Sequence, residues 1–163
     1  MSKLQNLPPI LDVCCGGKMF YFDKNDPRVL FMDIRRIETK LCDGREFSVD
    51  PDIIGDFRDL PFDDETFYGV NFDPPHLMTE SNGWQKIKYG ALGQDWREDL
   101  RKGFAECFRV LKPYGHLVFK WNETNIKISE VLALTPYKAI CGTRRGKNEG
   151  TYWVSFTKEG APC

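Results

Sequence analysis

The sequence contains a series of short apolar runs, and each run is ended by a carboxylate, a glycine pair or a proline pair. The first, second and fourth runs cover residues 10–15, 29–33 and 67–72, and the third is a short run that leads into a turn within residues 53–62. Their length and composition are typical of β-strands. Strands that are separated by crossover segments form a mainly parallel sheet. The series therefore predicts an α/β fold built on a Rossmann-like sheet.

One segment has the periodicity of a helix. Asp95 and Glu98 are placed as a capping box at its start. Its apolar residues recur at steps of three and four: Trp96, Leu100, Phe104, Cys107, Phe108 and Leu111. By contrast, residues 35–51 are polar and unpatterned, which predicts a loop where an α/β unit usually has a crossover helix.

The last part of the chain predicts a fifth strand over residues 116–121, a weaker helix over 127–134 and a C-terminal antiparallel hairpin. The hairpin follows from two strand-like runs, 137–141 and 151–157, on either side of a basic segment. We expect a single domain over residues 1–163, with reduced helical cover of the sheet. A homodimer is one way to bury a sheet face that lacks helices.

Composition excludes several classes of protein. The chain has 163 residues, of which 41% are hydrophobic, so it suits one globular domain. Its 23 basic and 24 acidic residues give a net charge of -1, so any nucleic-acid surface must be local. The six cysteines are scattered and the chain has two histidines, which favours reduced thiols and no metal site. With no signal peptide or membrane-spanning run, we expect a cytoplasmic protein.

The ends of the first four strands carry the candidate site. In order they hold Asp12 with Gly16 and Gly17, then Asp33, then Asp59, and then Asp73-Pro74-Pro75-His76. The carboxyl ends of parallel strands share one crevice. A glycine turn there exposes backbone N–H groups, and a carboxylate that closes the second strand can accept hydrogen bonds from a ribose diol. Each piece alone is also an ordinary turn or cap, so it is their order that predicts an adenosine site.

These pieces resemble the class I S-adenosylmethionine-dependent methyltransferases, over residues 10–156. The resemblance implies that S-adenosyl-L-methionine is the cofactor, that Asp33 holds its ribose and that Asp59 accepts the adenine amino group. It implies a cofactor-binding set of Asp12, Cys14, Gly16, Gly17, Asp33, Asp59 and Leu60. Cys14 stands where the family usually has a first glycine. The GxGxxG fingerprint of dinucleotide-binding enzymes is absent, which argues against hydride transfer.

The fourth strand end indicates the reaction. Asp73-Pro74-Pro75-His76 resembles the Asp/Asn-Pro-Pro-aromatic signature of small phage and bacterial methyltransferases that modify exocyclic amino groups, chiefly adenine N6 and cytosine N4 in DNA. The resemblance implies that Asp73 and the Pro74 carbonyl accept the N–H bonds of the amine. Pro75 would fix the corner and His76 would stack on a flipped base. The alternative is that the prolines simply end a strand.

This resemblance predicts methyl transfer to a nucleobase, with a nucleic acid, DNA favoured, as the substrate. Two alternatives stay open: an acceptor that is a protein amide or small amine, and a cofactor-binding module without catalysis. We expect residues 77–94, with Trp84, Lys86, Lys88 and Tyr89, to form a lid, and the basic loop 144–147 to be ordinary surface.

Overall fold

The computed structural model describes residues 6–78, 83–144 and 150–160. These residues form nine strands and three helices. In chain order the elements are β1 (Ile10–Asp12), β2 (Val29–Asp33), β3 (Ile37–Lys40), β4 (Glu46–Val49), β5 (Ile53–Ile54), β6 (Phe67–Phe72), α1 (Trp84–Tyr89), α2 (Trp96–Val110), β7 (Leu111–Asn122), α3 (Ile128–Leu132), β8 (Cys141–Gly142) and β9 (Thr151–Thr157).

Seven of the strands form one sheet in the order β5-β2-β1-β6-β7-β9-β8. The first five strands in this order, β5, β2, β1, β6 and β7, run parallel to one another. β9 lies between β7 and β8 and is antiparallel to both. The carboxyl ends of β1, β2, β6 and β7 therefore meet at one edge. The predicted mainly parallel sheet and the C-terminal hairpin are both present, although the first hairpin strand, β8, begins only at the last residue of the predicted run 137–141.

The main core lies on one face of this sheet. Apolar side chains of α2 pack there against alternate residues of the central strands, and α3 contributes Val131 to the same cluster. The strand residues on this face are fully or almost fully buried: Val70, Phe72, Leu117, Phe119, Trp121, Val154 and Phe156. Burial of α2 through its apolar stripe follows directly from the periodicity of its sequence.

The opposite face is thinly covered. Cys15, Val29 and Phe31 form a small cluster there beneath the segment that joins β1 to β2. On β6, β7 and β9 the residues of this face are only partly buried or exposed: Gly69, Asn71, His116, Val118, Lys120, Trp153 and Ser155. Within the described residues, no helix follows β1 or β2. The prediction of reduced helical cover is therefore confirmed.

Three local predictions were wrong. Residues 35–51 contain the β3–β4 hairpin rather than a loop. In its antiparallel ladder Ile37 pairs with Val49 and Thr39 pairs with Phe47. Residues 84–89 form the helix α1 in a segment that was expected to be a loop, whose residues 79–82 lie outside the described residues; the role of this segment as a lid stays a prediction. Asp95 precedes α2 but makes no side-chain capping bond, and Glu98 pairs with Arg101 instead.

Candidate active site

A cavity of about 390 Å³ opens at the carboxyl edge of the sheet. Its lining combines the turn after β1, the ends of β2 and β6, residues that follow β5, the end of α1, and one residue of β7. The polar and charged positions among these are Cys14, Cys15, Asp33, Arg35, Asp73, His76, Lys88, Tyr89 and Lys120. The cavity therefore lies at the carboxyl ends of the parallel strands, where the sequence predicted the site.

The glycine turn is held by Asp33, the last residue of β2. Asp33 Oδ2 accepts the backbone N–H of Gly16 at 2.9 Å, and Oδ1 accepts the backbone N–H and Nε of Arg35. Gly16 has a φ of 49°, in the left-handed region that favours glycine. A Cβ on Gly17 would lie 2.7 Å from the Phe47 ring, so the β3–β4 hairpin packs closely on this turn. Asp33 Oδ2 retains a lone pair for a ligand hydroxyl.

Asp12 is fully buried and does not line the cavity. Its Oδ1 accepts the Cys14 N–H at 3.0 Å and its Oδ2 accepts the Tyr21 hydroxyl at 2.7 Å, while Asn71 donates to the Tyr21 oxygen. Burial raises the pKa of Asp12 to about 7, and the hydrogen bond from Tyr21 opposes that rise. These hydrogen bonds hold the turn after β1 in position. In doubly wound folds a helix usually follows the first strand at this point.

Asp73, the first residue after β6, also lines the cavity. Its Oδ2 accepts a hydrogen bond from Lys120 Nζ at 2.8 Å, and both side chains are mostly buried. Burial raises the pKa of Asp73, and the positive charge of Lys120 counteracts this effect. Among the described residues, Lys120 is the one donor to this carboxylate, so Oδ1 remains available to a ligand.

His76 lies three residues further on and faces aromatic neighbours. Its ring centre is 5.7 Å from that of Tyr89 and 6.3 Å from that of Trp121. Burial, and then the charge of Lys120, lower the pKa of His76, so the imidazole is neutral at pH 7. A Cβ on Gly90 would lie 3.1 Å from Pro75, so the segment after α1 packs directly on the proline corner.

The structure brings together most of the residues that the sequence singled out, but not all of them. Cys14, Gly16, Gly17, Asp33, Asp73, Pro74, Pro75 and His76 line the cavity. Asp59 is exposed in a turn outside the lining, and Leu60 is buried, with its N–H bonded to Glu106. Their neighbours Gly55 and Phe57 line the cavity instead. The segment that follows β5 therefore lines the cavity with its first residues, and its later residues, Asp59 and Leu60, lie outside the lining.

Lys120, Phe20 and Arg35 also line the cavity, and the sequence did not predict them there. Lys120 interrupts the apolar run from Leu117 to Trp121, which was a usable signal, since charged residues are rarely buried without a partner. Arg35 donates to Asp33 and to the Ile87 carbonyl, and so connects β2 to α1. No pattern in the sequence marks Phe20, which lies between Tyr21 and Trp153 in space.

Other chemistry receives little support from the described residues. No group of three His, Cys, Asp or Glu side chains among them could hold a metal ion. Their cysteines are free thiols, and burial raises the pKa of Cys14 well above its usual range, so it is a poor nucleophile. No helix in this part of the chain is long and apolar enough to cross a membrane. Arg145 and Lys147, in the basic loop, lie outside the described residues.

Comparison with solved structures identifies the fold. No protein-family model and no curated protein matches the chain. The PH0226 protein of Pyrococcus horikoshii OT3 matches with a TM-score of 0.58 at 19% identity, over 92% of this chain and 81% of its own. An S-adenosylmethionine-dependent methyltransferase of Methanosarcina mazei matches with a TM-score of 0.56 at 13% identity, over 92% of both chains.

The N-methyltransferase NodS of Bradyrhizobium japonicum WM9 matches with a TM-score of 0.55 at 13% identity, over 93% of this chain and 85% of its own. Identities this low show the fold and no more. The chain has the Rossmann-like fold of class I S-adenosylmethionine-dependent methyltransferases, as the sequence predicted.

Proposed function

We propose that this protein is an S-adenosylmethionine-dependent methyltransferase that acts on the exocyclic amino group of a nucleobase, adenine N6 or cytosine N4, in DNA. One observation carries the proposal: the Asp73-Pro74-Pro75-His76 corner and the Gly16–Asp33 pair line the same cavity. The first suits an amine and the second suits a ribose, so the two reactants would meet inside it.

The residues of the glycine turn fit the adenosyl part of the cofactor. Cys14, Gly16 and Gly17 line the cavity, and the buried carboxylate of Asp33 keeps an acceptor oxygen for a ribose hydroxyl. Gly55 and Phe57 offer an apolar surface for the adenine ring, whereas Asp59 is too far along its turn to line the same cavity. When bound, the cofactor supplies an electrophilic methyl group on a positively charged sulfur.

The proline corner fits a planar amine. The lone pair of an exocyclic amine is delocalised into its ring, and hydrogen bonds from its N–H groups to an acceptor draw that pair back to nitrogen. Asp73 Oδ1 and the Pro74 carbonyl are two such acceptors, held rigidly by the fixed φ angles of both prolines. The neutral ring of His76 is able to stack on the base. Orientation of the amine, rather than strong basicity, would supply most of the rate.

The test uses labelled cofactor and a panel of acceptors: single- and double-stranded DNA, RNA, amide-containing peptides and small amines. We expect transfer to DNA, loss of turnover in Asp73→Ala, and nearly unchanged cofactor affinity by calorimetry. Asp63→Asn, which changes an exposed carboxylate elsewhere, should behave like the parent.

The remaining outcomes separate the alternatives. Transfer to peptides or small amines alone would replace the nucleobase with another acceptor. Cofactor binding without turnover on any acceptor would favour a binding module. Absence of binding to both S-adenosylmethionine and its demethylated product would overturn the proposal entirely.

A further inference from the structure

The uncovered face of the sheet carries an aromatic pair beside the cavity. Trp153 of β9 and Phe20 of the glycine segment meet edge to face, with ring centres 5.2 Å apart. Trp153 is 37% exposed although its strand lies between β7 and β8, because no described helix covers this side. The exposed side chains of Met19 and Phe22 continue the apolar surface along the same segment. Burial in a core therefore does not explain this pair.

One lysine joins the pair to the amine corner. Lys120 Nζ is 5.3 Å from the Phe20 ring centre and 5.6 Å from that of Trp153, and the same nitrogen bonds Asp73. The aromatic surface and the corner are therefore adjoining parts of one site. Phe20 and Lys120 themselves line the cavity.

The backbone of Trp153 and the ring of Phe20 are both held by their neighbours. Trp153 pairs with Lys120 across the β7–β9 ladder, and its backbone carbonyl and N–H bond Thr143 on the other side. Phe20 stacks on Tyr21 at 4.7 Å, and the Tyr21 hydroxyl is held by Asp12. Rigid rings lose little conformational freedom when a ligand stacks on them.

We infer that Phe20 and Trp153 form a stacking subsite for a second nucleobase, the neighbour of the methylated base in the same strand. The inference rests on the proposed function and narrows its substrate to a single-stranded or locally opened nucleic acid. Exposed aromatic rings interleaved with cations are the usual surface for single strands, because every base has a face on which to stack. Arg144, which is exposed and directly follows Thr143, adds positive charge at this end of the hairpin.

The test compares two acceptors that contain the same base: a single nucleotide and a short single-stranded oligonucleotide. For the parent we expect a higher kcat/KM with the oligonucleotide. In Trp153→Ala that advantage should fall about tenfold, and Trp153→Phe should restore most of it. Trp153→Leu, which keeps an apolar side chain but has no ring, should lose it like the alanine variant and covers the case in which the alanine variant is unstable. Tyr68→Ala, an exposed aromatic outside the site, should keep the parental ratio.

A binding measurement separates this inference from the proposed function. Fluorescence anisotropy of a labelled oligonucleotide, in the presence of the demethylated cofactor, needs no methyl transfer. Weaker binding by Trp153→Ala supports the subsite even where no acceptor is methylated. Unchanged binding, an equal loss with both acceptors, or a preference of the same surface for peptides would overturn it.

Discussion

Lys120 Nζ donates to Asp73 Oδ2 across 2.8 Å; Lys120 lies on β7, and Asp73 directly follows the neighbouring parallel strand β6. The contact places a cation against the carboxylate that, in the proposed function, accepts a hydrogen bond from the amine to be methylated. Burial alone would favour the protonated acid, whose hydroxyl oxygen is a poor acceptor of an N–H hydrogen bond. The lysine therefore opposes the effect of burial and favours the ionised form of Asp73.

Removal of this cation should change the pH dependence of methyl transfer. In Lys120→Met the pKa of Asp73 rises further, because burial then acts without opposition. The acid limb of the kcat profile should move to higher pH, and each unit of movement costs about tenfold in rate below both pKa values. Lys120→Arg should retain the parental limb. A profile that keeps its shape while kcat falls evenly would contradict this role.

His76 should contribute through its ring rather than through its charge. It is neutral at pH 7 because burial and Lys120 lower its pKa. We expect His76→Ala to lower kcat/KM for the nucleobase acceptor. The loss of transition-state stabilisation calculated from kcat/KM should be about 1–3 kcal/mol, the range measured for base stacking. His76→Phe should recover most of the activity, since it keeps a planar ring. Failure of the phenylalanine variant, with normal cofactor binding, would instead indicate a proton-transfer role.

The strand ends were predictable because they depend on local patterns. Apolar runs stop at carboxylates, glycines or prolines, and the direction of parallel strands then brings Asp33 and Asp73 to one edge. The partners of these residues were not predictable, because they depend on register: Lys120 reaches Asp73 across 47 positions of sequence. The turn after β5 shows the same limit, because the sequence does not tell which of its residues reach the cavity: Phe57 lines it and Asp59 does not.

The homodimer stays a prediction, which sedimentation would test.

The buried Asp12 should make stability depend on pH. Its pKa in the folded chain is about 7, above the value of 3.8 expected when it is exposed. The folded chain therefore holds a proton that the unfolded chain releases, and stability falls as pH rises from about 4 to 7, by up to ~1.4 kcal/mol per pH unit. Asp12→Asn should remove this slope in denaturant titrations. An equal slope in both proteins would mean that the Tyr21 and Cys14 donors keep the carboxylate ionised.

Gly103 should resist replacement although it lies inside α2. Alanine in an exposed helix interior gains about 1 kcal/mol over glycine, but here a Cβ would lie 2.7 Å from the rings of Phe57 and Phe72. We expect Gly103→Ala to lower the free energy of unfolding by about 1–3 kcal/mol, the usual cost of overpacking. Cofactor affinity should fall as well, because Phe57 lines the cavity. Gly93→Ala is the control, since its Cβ would meet nothing within 4 Å. Denaturant titration and calorimetry measure both effects, and a gain in stability for Gly103→Ala would show that the two rings yield without cost.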